Sequence, residues 1–193
     1  MLNVVIFGAP GSGKGTQSEL IISKYGLYHI STGDILRQEI KKQTELGAIA
    51  EGYIKQGQLI PDDLIIKMLA EVLDANPEAK GYIFDGFPRT IAQGEALNEM
   101  LRERNTSIVA VLILIVDENE LINRLIKRGE ESGRADDNLE VIQNRLDVYR
   151  KQTEPLKEYY KKKGKLFQIK GNNVIEDVFE QITDVLDRVS LQL

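Results

Sequence analysis

Apolar and polar positions along this chain follow two alternating rhythms. Leu2–Phe7 is a short apolar run rich in β-branched residues that stops at Gly8, the pattern of a strand buried on both faces. Lys14–Tyr25 changes to helical spacing, with Leu20, Ile21 and Tyr25 as its apolar positions, and ends at Gly26. Tyr82–Phe84 and Ile108–Val116 are again continuous apolar runs, closed by Asp85 and Asp117. Between them Ile91–Arg104 carries Ala92, Leu97, Met100 and Leu101 as a helical stripe. Leu166–Ile169 reads as a last strand, and beyond it Val174, Val178, Ile182, Val185, Leu186 and Val189 recur at i, i+3, i+4 spacing. Strand and helix in turn predict an α/β fold, with parallel strands and helices on both faces of the sheet.

Two stretches break the rhythm. Residues 31–60 contain no strand pattern, only two short helical segments separated at Thr44 and Glu45 and ended by Gly57. Gly129–Asn138 (GEESGRADDN) is almost devoid of apolar residues and holds two glycines, the composition of a solvated loop. Lys161–Lys163 reads as the solvated end of a helix.

Composition narrows the function classes. A chain of 193 residues fits one domain with small insertions, and 42% hydrophobic with 28% charged residues is ordinary for a folded protein. The net charge of −5 argues against a dedicated nucleic-acid or anionic-membrane binder. With no cysteine and one histidine, His29, the chain cannot form disulfides, thiolate metal sites or a histidine pair, so no zinc site is expected. The longest apolar run, Ile108–Val116, has nine residues, well short of the roughly 20 a membrane helix needs. The start of the chain lacks a basic leader pattern, so a cytoplasmic protein without membrane contact is expected.

The strongest chemical signal follows the first strand. Gly8-Ala9-Pro10-Gly11-Ser12-Gly13-Lys14-Gly15-Thr16 joins strand to helix, with four glycines in eight residues. Glycines let successive backbone N–H groups converge on one anion, and the helix N-terminus adds unpaired donors and its dipole. Gly11, Ser12, Gly13, Lys14, Gly15 and Thr16 therefore form a candidate phosphate cradle, with Lys14 as a point charge on the transferred phosphates. The strict G-x-x-x-x-G-K-[ST] pattern is not met, because Gly15 follows the lysine and the hydroxyl comes at Thr16. Such a loop establishes nucleotide binding and leaves switches, ATPases, motors and small-molecule kinases open.

Three further motifs discriminate among these. His29-Ile30-Ser31-Thr32-Gly33-Asp34-Ile35-Leu36-Arg37, Asp85-Gly86-Phe87-Pro88-Arg89 and Gly133-Arg134-Ala135-Asp136-Asp137 complete a pattern with the glycine loop. Over nearly its whole length the chain resembles the adenylate kinase family of nucleoside monophosphate kinases, in its short-lid form. The resemblance implies transfer of the terminal phosphoryl group of ATP to AMP, giving two ADP, with Mg²⁺ accompanying ATP. It implies a parallel five-stranded sheet, with a core formed by residues 1–30, 61–128 and 140–193. An AMP-binding insertion would span residues 31–60 and a short lid residues 129–139, with Gly129 and Gly133 as hinges. A monomer is expected.

Phosphoryl transfer of this kind needs positioning and neutralisation rather than a histidine base, and the arginine fork suits phosphate oxygens. Six of the ten arginines fall at family positions: Arg37, Arg89, Arg124, Arg128, Arg134 and Arg145. By resemblance Arg37 and Arg89 hold the AMP phosphate, Arg134 and Arg145 reach it and the moving group, Arg128 contacts the ATP phosphates, and Arg124 stacks on the ATP adenine. On their own, residues 124–150 read equally as a self-paired solvated helix face, with six Lys or Arg and six acids. Asn173 falls where the family contacts the ATP base, although Gly171-Asn172-Asn173 departs from the usual sequence. Asp85, ending a strand beside the cradle, could hold Mg²⁺ through water, while Asp136 and Asp137 are expected to pair with arginines. His29 is expected to be a hydrogen-bonded structural residue. Gly86, Phe87 and Pro88 accompany Arg89 at the AMP site, and Gln58, Leu59 and Ile60 would lay backbone against the base, Gly57 allowing close approach. Thr32 and Gln93 argue for AMP, since pyrimidine kinases of the superfamily typically carry Ala and Asn there, although Thr32 could simply cap the following helix. A UMP/CMP kinase and, from another class, a nucleotide-binding switch are the alternatives; no Asn-Lys-x-Asp guanine reader occurs.

Overall fold

The computed structural model describes residues 1–134 and 136–192; Ala135, within the expected lid, and Leu193 lie outside the described residues. Five strands, β1 (Asn3–Gly8), β2 (Tyr28–Ser31), β3 (Tyr82–Asp85), β4 (Ile108–Ile115) and β5 (Leu166–Lys170), form one sheet in the order β2-β3-β1-β4-β5. Every pairing is parallel. β1 is buried along its whole length, as an apolar run without alternation requires. Its side chains divide by the strand period: Val5 and Phe7 enter one core layer, and Val4 and Ile6 the other.

Among the described residues nine α-helices cover the sheet. α1 (Lys14–Tyr25) and α9 (Ile175–Ser190) pack on the Val4 face, where Ile21, Val178, Ile182, Val185 and Leu186 are buried. The Val5 face receives α2 (Thr32–Lys41), α3 (Glu45–Lys55), α4 (Asp62–Asp74), α5 (Ile91–Glu103) and α8 (Leu156–Lys162). α6 (Glu118–Ser132) and α7 (Leu139–Val148) share a smaller cluster of Leu121, Leu125, Ile142 and Leu146. A π-helical turn, Tyr149–Thr153, continues α7.

Several boundaries differ from the sequence reading. The periodicity finds four strands; the fifth, β2, is a four-residue edge strand whose first residue is exposed, too short for a pattern. α4 is also new, although Asp62 and Asp63 in its first turn and Ile65, Met68, Leu69 and Leu73 at helical spacing carry the signal. Glu45 opens α3 rather than separating two helices, because Thr44 caps it by accepting from the Gly47 N–H at 3.0 Å. Ser31, not Thr32, caps α2, accepting from the Asp34 N–H at 3.3 Å. α6 runs on to Ser132, so the first four residues of the polar stretch are helical. Gly129 therefore lies within the helix and not at positive φ: a Cβ there would lie 2.7 Å from the Asp137 carbonyl oxygen, and glycine permits that close approach. Gly133 does take the left-handed conformation, at φ 63°, and caps α6 with its N–H on the Gly129 carbonyl.

Candidate active site

The strand order reverses about β1, whose neighbours β3 and β4 belong to opposite halves of the sheet. The crevice outside the C-terminal ends of such strands is where an open parallel sheet binds ligands. The glycine loop leaves β1 at this point. Gly13 stands at φ 92° as the N-cap of α1, with open space where a Cβ would be, so backbone conformation alone selects glycine there. The first turn of α1 contains no acid, and its leading N–H groups have no acceptor within the helix. Lys14 reaches back across the loop, its Nζ donating to the Gly8 carbonyl at 2.9 Å and the Ala9 carbonyl at 3.1 Å. Burial lowers the Lys14 ammonium to about 8; Asp85 opposes this, while Arg89, Arg145 and Arg128 add to it.

Those charges line one cleft of about 490 Å³. Seven cations face it, Lys14, Arg37, Arg89, Arg124, Arg128, Arg134 and Arg145, against three acids, Glu19, Asp34 and Asp85, among the described residues. This excess sits in a chain of net charge −5. It strains its own members: burial and then Arg145 lower Arg89 to about 10, and burial, Arg37 and Arg128 lower Arg134. Like charges held together at a buried floor favour a ligand with several negative charges.

The protein fixes most of these guanidiniums. Arg37 pairs with Asp34 at 2.5 Å, and Arg89 Nε donates to the Gly86 carbonyl at 2.7 Å. Asp137, whose side chain is 0% exposed, takes both forks of Arg128, at 2.6 and 2.7 Å, and Arg145 Nη1 at 2.8 Å. Arg145 also pairs with Asp136 at 2.9 Å. Burial works to raise the Asp137 carboxyl, but the hydrogen bonds and charge of Arg128, with Arg145, hold it below its ordinary value. Each guanidinium has five donors, so these contacts orient the arginines and leave donors for phosphate. Arg124 pairs with Glu120 at 2.7 Å and reaches the Gly171 carbonyl at 3.3 Å.

A smaller pocket opens off the cleft, sharing Gly33, Arg37, Gly57, Leu59, Gly86, Arg89 and Arg145 with it. Its own walls are Thr32, Leu36, Ile54, Gln58, Ile60, Ile65, Gln93 and Asp136. Leu36, Ile54, Ile60 and Ile65 stand there beside Thr32, Gln58, Gln93 and Asp136, a mixture of apolar surface and polar groups that suits a planar heterocycle with a polar edge. Thr32 Oγ1 donates to the Gly86 carbonyl at 2.9 Å, and the Gln93 side chain, in a residue 2% exposed, accepts from the Arg89 N–H at 2.7 Å.

The family model described as adenylate kinase matches residues 6–165 of this chain. The chain belongs to the adenylate kinase family. Adenylate kinase of Azobacteroides pseudotrichonymphae genomovar. CFP2 is 64% identical over 189 residues, covering 98% of this chain and 99% of that protein. Adenylate kinases of Parabacteroides distasonis, at 62% over 98% of this chain and 100% of theirs, and Bacteroides fragilis, at 63% over 97% and 99%, are similar in the same way.

This adenylate kinase site gathers most of the expected residues. Gly11, Gly13, Lys14, Gly15, Thr16, Gly86, Pro88 and Asp85 line the main cleft with the arginines, and Thr32, Gln58, Leu59, Ile60 and Gln93 line the smaller pocket. Three residues stand elsewhere. Ser12 is 1% exposed beneath the loop, its N–H donating to the Ala9 carbonyl at 3.1 Å. Phe87 is 1% exposed and packs in the core of the Val5 face. Asn173 is exposed outside both pockets; its neighbour Asn172 instead ties Asp117, accepting from the Asp117 N–H at 3.1 Å. Gly57 closes against α7, where a Cβ would meet Arg145 Cγ at 2.9 Å, so its close approach serves that contact. His29 Nε2 is buried 3.8 Å from Asp85 without a hydrogen-bond partner among the described residues, rather than hydrogen-bonded as expected. Among the described residues no helix is long and apolar enough to cross a membrane. Sequence reasoning missed Asp62, whose carboxylate contacts Gln93 and Thr90. It expected pairing for Asp137 without foreseeing that one carboxylate would hold two site arginines.

Proposed function

We propose that this chain moves the terminal phosphoryl group of ATP to AMP, reversibly forming two ADP, and that the cationic cleft and its side pocket are the site of that transfer. The observation that carries this reading is the continuity of a seven-cation cleft with a smaller pocket lined by Thr32 and Gln93, in a chain of the adenylate kinase family. The glycine loop and Lys14 take the phosphates of ATP. Arg37 and Arg89 hold the phosphate of AMP, one of whose oxygens attacks the γ-phosphorus while the bond to the β–γ bridging oxygen breaks. Negative charge spreads over the moving group, and Arg128, Arg134 and Arg145 neutralise it; no side chain need take a proton. Arg124 stacks on the ATP base, a reading supported by its position on the cleft and its contact with the Gly171 carbonyl.

Mg²⁺ fits the oxygen donors here: the Asp85 carboxylate and the Thr16 hydroxyl line the cleft beside the loop, and Mg²⁺ takes few protein ligands, keeping waters and phosphate oxygens. When bound with ATP it neutralises and orients the phosphates. Asp85 would hold it through water. Residues 31–60 and 129–139 act as moving covers that exclude water from the reaction, and residues 1–30, 61–128 and 140–193 remain as the core. Since one chain supplies both pockets, the enzyme works as a monomer, on free adenine nucleotides of the cytoplasm, without nucleic acid.

The test is acceptor choice. With ATP as donor, AMP should exceed CMP and UMP in kcat/KM by about 10² or more, because a site whose hydrogen bonds go unmet rejects the wrong base. Equal use of CMP would make the chain a pyrimidine nucleotide kinase, and ATP binding without transfer to any acceptor would make it a switch.

A further inference from the structure

The oxygen and nitrogen of a glutamine carboxamide are nearly equal in size, so either can face a ligand unless neighbours decide. At Gln93 two neighbours decide. Asp62, the first residue of α4, accepts from Gln93 Nε2 at 2.7 Å through Oδ1. The backbone N–H of Arg89 donates to Gln93 Oε1 at 2.7 Å. A carboxylate only accepts and a backbone N–H only donates. Turning the amide over would set oxygen against oxygen at one end and N–H against N–H at the other. Asp62 is itself held, since its Oδ2 accepts from the Thr90 hydroxyl at 2.9 Å. Thr90 in turn caps α5 by accepting from the Gln93 N–H at 3.2 Å.

With these bonds made, Gln93 keeps one N–H on Nε2 and one lone pair on Oε1. Such a donor beside an acceptor matches a base edge that carries an acceptor next to a donor, as N1 and the 6-amino group of a 6-aminopurine do. A 6-oxopurine presents the reverse, an N1–H beside a carbonyl oxygen. Asp62 is not among the residues that line the pocket, so it reaches the base only through Gln93.

We infer that Asp62 is a positioning residue for acceptor selectivity: by fixing which way the Gln93 carboxamide stands, it sets the pocket for 6-aminopurine over 6-oxopurine monophosphates. The inference rests on the reading that this pocket takes the acceptor base. Asp62→Asn keeps the shape and supplies an N–H that can face Gln93 Oε1, so one of the two contacts that hold the amide no longer discriminates and only the Arg89 N–H still favours the native orientation. Steady-state kinetics with ATP and either AMP or inosine monophosphate should show the AMP:IMP ratio of kcat/KM falling by about tenfold in Asp62→Asn, through KM of the acceptor, with KM for ATP within about twofold. In a Gln93→Leu background the same change should leave the ratio unaltered, because the group it acts through is gone. Should Asp62→Asn melt below the assay temperature, Asp62→Glu against Asp62→Gln makes the same comparison, the acceptor-only head retaining the ratio and the amide losing it. An unchanged ratio in Asp62→Asn, an equal fall in the Gln93→Leu background, or equal ratios for Glu and Gln would overturn the role of Asp62 while AMP phosphorylation by the unmodified protein stands. Failure of the unmodified protein to phosphorylate AMP would overturn both that role and the functional reading beneath it.

Discussion

Binding of ATP should draw a proton onto Lys14. Burial and the neighbouring arginines lower the free ammonium to about 8, with Asp85 opposing them, and a triphosphate brought beside Nζ restores the charged form. At pH 8 about half of the free lysines are neutral, so binding should take up about 0.5 proton; at pH 9 the figure is about 0.9. Affinity should fall accordingly, by about fivefold between pH 8 and pH 9, since only the protonated form binds well. The terminal phosphate of ATP does not interfere, because its own second ionisation lies near 6. Calorimetric titration of ATP, without Mg²⁺, in two buffers of different ionisation enthalpy reads the proton count directly. Lys14→Arg keeps the charge but cannot titrate in this range, so its uptake should vanish. Proton uptake near zero at both pH values in the unmodified protein, or equal uptake in Lys14→Arg, would refute the reasoning.

Lys14→Met should lower kcat by about 10²–10³ or more, because the charge acts mainly on the transition state; near-normal turnover in a folded variant would remove Lys14 from the mechanism. A bisubstrate analogue joining two adenosines by five phosphates should protect residues 31–60 and 129–139 from hydrogen exchange, and unchanged exchange in both would count against moving covers. Asp137→Asn should destabilise the protein by about 2–4 kcal/mol at pH 7, the Arg145 and Arg128 partners being only partly exposed. Because the folded pKa of Asp137 lies below its ordinary value, that stabilisation is present above the unfolded pKa, near 3.8, and is lost as pH falls through the folded value. The gap in melting temperature between Asp137→Asn and the unmodified protein should therefore close at strongly acid pH, and a gap independent of pH would contradict the pairing.

How much of this could be read from residues alone depended on the range of the interactions. β1 and its glycine loop were legible because the signal is local: an apolar run, then glycines at a strand–helix junction, where backbone conformation selects the residue type. β4 was legible from its continuous apolar run and α9 from its helical period. β2 was not, since four residues with an exposed start have no period to detect, and their strand character comes from pairing with β3. The role of Gly129 was not legible because glycine serves both positive-φ turns and close approaches, and only the position of Asp137 shows the close approach. The arginines are instructive in a different way. Spacing along residues 124–150 could not separate a solvated face from a phosphate site, and their convergence on one cleft accompanies the packing of α6 on α7 through Leu121, Leu125, Ile142 and Leu146. Asp62 was out of reach, because its partner Gln93 lies 31 positions away and no local pattern links them.

The central claim is the transfer itself, and following the phosphorus tests it most directly. Incubating the purified protein with Mg²⁺, AMP and ATP labelled at the γ-phosphorus should give labelled ADP as the first product, with two ADP formed for each AMP consumed and the label at the β position of the ADP made from AMP. Label released as inorganic phosphate, with AMP unchanged, would contradict the account.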